Sequence, residues 1–213
     1  MSDSIRETLE RRIPRSFFLG DDVVATARAL LGKRLCSYAG GAFTMGRIVE
    51  TEAYAAVGDK ACHAHLGRFT KRTKTMYEQG GTAYVYLTYG IHHMFNVVSN
   101  VEGTPDAVLI RAVEPLEGQD IMLRRRNMDK IERKLTAGPG ILSKAMHITR
   151  ALNEEDVCTS EVLWVSEEED GYALPEADQI VAGPRVGIGY AGEDAFLPWR
   201  FSIQGTKWKS PAK

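Results

Sequence analysis

Two carboxylates stand two residues apart in GRIVETEAY, residues 46–54, inside a run that otherwise reads as a buried strand. Side chains alternate along a strand, so Glu50, Glu52 and Tyr54 share one face, while Arg47, Val49, Thr51 and Ala53 share the other. A carboxylate between apolar neighbours is costly unless it is paired or faces a cleft. Three chemistries fit: ion pairs with Arg or Lys at a rim, a general base aimed at a water in a pocket, and an acid and base pair of the glycoside-hydrolysing kind. For an isolated E-T-E the ion pair is the ordinary meaning.

His63 and His65, in ACHAHLG, are the next candidates. A loop histidine usually bonds a backbone carbonyl. An H-x-H pair beside a glutamate would also suit a metal, but no H-E-x-x-H or paired-cysteine spacing accompanies it. His92 and His93 follow Gly90 and are expected at a surface or rim. Between Asp59 and Glu78 there is no acidic residue, whereas Lys60, Arg68, Lys71, Arg72 and Lys74 are present, interleaved with Thr70, Thr73 and Thr75. Such a run is either a solvated loop or a set of donors for phosphates. The second basic run, RRRNMDKIERK, is broken by Asp129 and Glu132 and reads as an exposed helix.

GTAYVYLTYG, residues 81–90, has Tyr84 and Tyr86 on one side of a strand and Tyr89 at its tip. Aromatic residues commonly fill a core from a strand. The same tyrosines would also form a flat slot for an extruded purine, with a bulky plug for the hole it leaves. Asn96 is placed to bond either the slot's occupant or the backbone.

These residues need elements to hold them. DDVVATARALLGK predicts a helix capped by Asp21 or Asp22, with Gly32 in a left-handed cap. Residues 33–54 read as two strands joined by a Gly-Gly turn. AYVYLTY, MFNVVSN and AVLIRAVEP are further strands, and LEGQDIMLRRRN and ILSKAMHI are helices. EVLWVSEEEDGY is a strand running into an acidic loop, and residues 185–205 return to strand-like alternation. Strands linked through short turns favour antiparallel pairing, which gives one α+β domain with a curved, largely antiparallel sheet and helices packed around it. The expected division is a charged, frayed segment over 1–12, one domain over 13–208 and a tail over 209–213.

With 213 residues, 44% hydrophobic and 26% charged, the chain can build a core and stay soluble. It has no apolar run of membrane-spanning length, and its first residues lack the apolar core of a signal peptide, so a cytoplasmic protein is expected. Cys36, Cys62 and Cys158 have no paired spacing and are expected as reduced thiols. The net charge of -1 does not announce nucleic acid, and its distribution matters more.

The segments GRIVETEAY, HAHLGRFTKRTKTMY, GTAYVYLTYGIHHMFNVVS, VLIRAVEPLEG, AGPGILSKAMHI and RVGIGYAG, in this order over most of the chain, resemble the alkyladenine (3-methyladenine) DNA glycosylases. The resemblance implies a single mixed domain around a curved antiparallel sheet. It also implies an enzyme that flips a damaged purine nucleotide out of double-stranded DNA and hydrolyses its N-glycosidic bond without metal or other cofactor, leaving an abasic site. On this reading Glu52 is the catalytic base, and Arg111 holds the catalytic water and a nearby phosphate. Tyr54 and Tyr86 stack on the base, His63 contacts it and Asn96 helps to exclude guanine. Tyr89 inserts into the duplex. Thr70 and Arg72 contact the DNA backbone, and Lys71, Met76 and Ile91 complete the DNA-contacting set. Ile91, where mammalian relatives have methionine, and the following His92 and His93 depart from the family pattern. A monomer is expected, since a one-domain duplex reader needs no symmetry. The competing readings are a metal-dependent hydrolase using Glu52, His63 and His65, and a non-catalytic binder of distorted DNA.

Overall fold

A computed structural model describes residues 2–211. Met1 and residues 212–213, the last two of the expected tail, lie outside the described residues. Eight strands form one sheet: β1 (Arg34–Ser37), β2 (Thr44–Tyr54), β3 (Ala83–Thr88), β4 (His92–Ser99), β5 (Asp106–Glu117), β6 (Leu163–Ser166), β7 (Ile180–Gly183) and β8 (Arg200–Ile203). Their order is β3-β4-β5-β2-β1-β6, with β8 also pairing with β2 and β7 with β8. Every strand pairing is antiparallel. The helices α1 (Asp3–Glu10), α2 (Val23–Ala29), α3 (Gln119–Arg126) and α4 (Pro139–Ala145) pack around this sheet, which makes the fold the expected α+β domain.

Local chemistry accounts for several element ends. The Asp22 side chain accepts from the Ala25 N–H and caps α2, an interaction of about 1 kcal/mol. Val23 and Ala27 then join Leu30 and Leu31 in the main core against Ile48, Phe95, Val108 and Ile110. Gly40 and Gly41, both at positive φ, turn the chain between β1 and β2, a conformation that glycine adopts without steric cost. β2 is tied to α2 by the Thr51 hydroxyl, which donates to the Ala27 carbonyl at 2.8 Å.

Two expectations change. Residues 2–12 are ordered: Ser2 caps α1, Ile5 and Thr8 are buried, and Glu7 pairs with the buried Arg34 of β1 at 2.7 Å. Residues 185–205 hold only the short β8, preceded by a 3-10 segment over Gly189–Phe196. Besides β2, β8 pairs with β7, whose sequence IVAG carries too little alternation to show itself. Within the expected tail, Ser210 is buried against Glu50. The acidic segment after β6 forms a clamp, with Glu167 on Lys33, Glu168 on Arg47 (2.7 Å) and Asp170 on Arg11 (2.9 Å).

The feature that matters most for the site is a break in the β2–β5 register. Ile48 pairs with Val113, Glu50 with Ala112 and Thr51 with Ile110, so Val49 and Arg111 have no cross-strand partner. Such bulges re-aim side chains locally, and here both carboxylates of β2 face one guanidinium.

Candidate active site

Arg111 lies between Glu50 and Glu52. Its Nε is 3.4 Å from Glu50 Oε1 and its Nη1 is 3.2 Å from Glu52 Oε2, and all three residues are buried. Glu52 accepts two further hydrogen bonds, from the Tyr54 hydroxyl to Oε2 and from the Val186 N–H to Oε1, both 2.8 Å. Glu50 accepts from the Ser210 N–H (2.6 Å) and Ser210 Oγ (2.9 Å), and Arg200 lies 3.6 Å away. The two glutamates thus divide the readings between them. Glu50 is the structural ion pair, and Glu52 is held by donors that themselves line a cavity.

Burial pushes the Glu52 carboxyl above its ordinary range, and Arg111, Tyr54 and the Val186 N–H oppose that rise only in part. Burial works against the Arg111 charge, but Glu52 and Glu50 outweigh it and raise its pKa. The Tyr54 hydroxyl is pushed well up by burial and by Glu52, so it stays a donor.

The cavity has a volume of about 340 Å³. Tyr54, Arg111, Val186 and Gly187 line it beside Glu52, and His63, Arg72, Tyr84, Tyr86, Asn96 and Tyr190 also contribute to its walls. Tyr84 and Tyr86 lie 5.2 Å apart by ring centroid, and His63 meets the Tyr86 ring edge-on at 4.8 Å. His63 Nε2 is 3.1 Å from Arg72 Nη2 and His63 Nδ1 is 3.0 Å from the Tyr84 hydroxyl. A guanidinium only donates, so Nε2 is the acceptor and the ring proton is on Nδ1. Burial and the neighbouring Arg72 and Arg68 bring the His63 pKa down to about 4, so the ring is neutral near pH 7.

The structure moves several expected residues. Met76, expected at the DNA surface, is buried, packs against Tyr84 and lines the cavity. Arg72, expected on the DNA backbone, is exposed, and its guanidinium lies 4.5 Å from the Tyr86 ring centroid, so that one face of Tyr86 is covered. Arg111, expected to hold the catalytic water and a nearby phosphate, is buried, engaged by two carboxylates, and lines the cavity. Thr70 bonds Thr73 at 3.1 Å and closes its own turn. Asn96 donates from Nδ2 to the Tyr84 carbonyl at 3.1 Å while still lining the cavity. Lys71, Ile91 and Tyr89 are exposed, and Tyr89 sits at the tip of the β3–β4 hairpin with φ +50°. Among the described residues no three His, Cys, Asp or Glu side chains are grouped so as to hold a metal ion.

The sequence profile described as methylpurine-DNA glycosylase (MPG) matches residues 17–207. The chain belongs to the methylpurine-DNA glycosylase family. It is therefore a DNA glycosylase, a hydrolase of base excision repair. A relative from Methanocella arvoryzae is 49% identical over 89% of this chain and 90% of its own length. Relatives from Chlamydia felis (43%; 92% of this chain, 98% of the relative) and Desulfitobacterium hafniense (42%; 94% and 98%) are similar over nearly their full lengths. All three carry the name "Putative 3-methyladenine DNA glycosylase". No helix among the described residues is long and apolar enough to cross a membrane.

Within this methylpurine-DNA glycosylase site, sequence reasoning missed four contributors. Val186 acts through its backbone N–H, which no residue type announces. Arg185 makes a fully buried two-pronged pair with Asp59 (2.6 and 2.7 Å) and lies 4.8 Å from the Tyr54 ring centroid, bracing that wall. Tyr190 donates to the Ala61 carbonyl at 3.2 Å while lining the cavity. Ser210 bonds both Glu50 and, at 3.1 Å, Arg111. The one available signal was RVGIGYAG, which contains four of the cavity-lining positions, Val186, Gly187, Ile188 and Tyr190.

Proposed function

We propose that this enzyme is a monofunctional purine DNA glycosylase acting on double-stranded DNA as a monomer. It flips an alkylated, deaminated or etheno purine nucleotide into the aromatic cavity and hydrolyses its N-glycosidic bond with a water activated by Glu52. The observation that carries this reading is the buried Glu52 carboxylate, tied to three groups that line a cavity walled by tyrosines. A carboxylate held in that position stabilises positive charge growing on the sugar and accepts the proton of the attacking water. Tyr54 and Tyr84, with Tyr86 once Arg72 yields its covered face, offer flat surfaces to the extruded base.

Tyr89 and Ile91 are 92% and 71% exposed at the hairpin tip, where they can enter a base stack without disturbing the core. Arg68, Lys71 and Lys74 lie on the exposed side of the 68–74 loop and serve the phosphates. Among the described residues no lysine lines the cavity, so no amine is at hand to form a covalent sugar adduct, and the product is an abasic site.

The test is excision from a duplex oligonucleotide with one damaged purine, followed by alkaline cleavage at the abasic site. Glu52→Gln should slow single-turnover excision by at least about 100-fold while duplex binding persists. Excision by Glu52→Gln at the wild-type rate overturns the assignment. EDTA should leave the rate unchanged; its loss on chelation would restore His63 and His65 as candidate ligands.

A further inference from the structure

Arg72 stands apart from the other cations of the site. Arg111 is neutralised by Glu50 and Glu52, and Arg185 by Asp59. Arg72 pairs with no carboxylate among the described residues; its contacts are the Tyr86 ring and His63 Nε2. Its neighbours are His63, Tyr84 and Tyr86, whereas those of Glu52 are Arg111, Tyr54 and Val186. The cavity lining therefore includes one positive charge with no carboxylate partner among the described residues, that of Arg72, while the buried Glu52 reaches the cavity through Tyr54, Arg111 and Val186, which line it.

We propose that Arg72 is a catalytic residue that acts on the departing base while Glu52 acts on the sugar. This rests on the reading that the cavity takes a purine nucleotide. When the C1′–N bond breaks, its electron pair goes to the purine. The water oxygen bonds C1′, and the water proton passes to Glu52 and then to solvent. A neutral purine changes charge from 0 to -1 and is protonated by solvent on release; a ring-alkylated, cationic purine changes from +1 to 0. In both cases the base becomes more negative by one unit, and the guanidinium that Arg72 holds beside it after leaving the Tyr86 face favours that change. His63 is not the group that protonates the base, since its only ring proton is engaged by Tyr84 and its lone pair by Arg72. Binding should differ between the two classes, because a cationic base enters against the Arg72 charge and a neutral one does not.

The experiment measures saturating single-turnover rates and Kd for two duplexes, one with hypoxanthine and one with 7-methylguanine, using wild type, Arg72→Gln and Arg72→Lys of equal Tm. Arg72→Gln should lower the saturating rate on both lesions by at least about tenfold. It should leave Kd unchanged for hypoxanthine and tighten it for 7-methylguanine, and Arg72→Lys should restore most of the rate. Uniformly weaker binding with unchanged saturating rates makes Arg72 a phosphate contact and overturns the inference, as does an Arg72→Lys variant as slow as Arg72→Gln. Wild type that excises neither base overturns the purine-glycosylase reading itself.

Discussion

Glu50 and Glu52 share one guanidinium, that of Arg111, across a register break in which Arg111 has no cross-strand partner. Removing one partner from a buried ion cluster is far costlier than never having built it, because the remaining charges stay buried. Arg111→Met should therefore lower stability by roughly 3–5 kcal/mol at neutral pH. The sign of its pH dependence follows from Glu52. Its folded pKa is already raised by burial, and loss of Arg111 raises it further. A carboxyl with a raised folded pKa destabilises the fold as pH climbs from its unfolded value through the folded one. The variant should be closer to wild type at pH 5 than at pH 8, as read by denaturant unfolding at both.

Much of this arrangement was legible in the sequence, but the part that makes it a site was not. Alternation, the Gly-Gly turn and the Asp22 cap specified β1, β2 and α2, because those signals are local. The ordinary meaning of E-T-E was right for Glu50. Met76 is expected on the DNA surface because a loop's composition does not say which side chains turn inward. That is decided by the 3-10 turn Lys74–Tyr77, which tucks Met76 under Tyr84. The register break that re-aims Arg111 depends on two strands about sixty residues apart and leaves no mark in either one alone.

The pH dependence of excision tests the ionisation of Glu52. The base works only when ionised, so the rate should rise with pH through a limb set above the ordinary glutamate value. Tyr54→Phe removes one donor to Oε2, which disfavours the carboxylate and should move that limb to higher pH. His63, neutral above about pH 4, should add no limb between pH 5.5 and 8. Single-turnover rates from pH 5 to 9 check all three statements, and a limb moving to lower pH in Tyr54→Phe contradicts the assignment.

Ser210 couples the end of the chain to this cluster. Its hydroxyl donates to Glu50 Oε1 and accepts from Arg111 Nη2. Ser210→Ala keeps the backbone donor to Glu50 but leaves two buried partners short of a bond, at a cost of about 1–3 kcal/mol. Thermal unfolding measures it, and a shift within error would mean the terminal segment contributes nothing to the cluster.

Tyr89 sets stability against function at one position. It is a non-glycine residue at φ +50°, 92% exposed, with no packing to lose. The left-handed conformation costs such a residue roughly 1–2 kcal/mol, and glycine escapes that cost at an entropic penalty of about 0.5–1 kcal/mol. Tyr89→Gly should leave Tm unchanged or slightly raised. The same change removes the side chain proposed to fill the space of the extruded nucleotide, so excision from duplex DNA should fall by at least about tenfold, given that flipping costs a few kcal/mol. Excision from a single-stranded oligonucleotide, where no stacked gap needs filling, should change much less. Equal losses on both substrates would make Tyr89 a general binding contact, and no loss on the duplex would assign the plug to its neighbour Ile91. Because the hairpin tip is far from the core in packing terms, a preserved Tm with a selective loss on duplex DNA cannot come from unfolding. It would mean that the backbone strain is retained because the tyrosine is needed there.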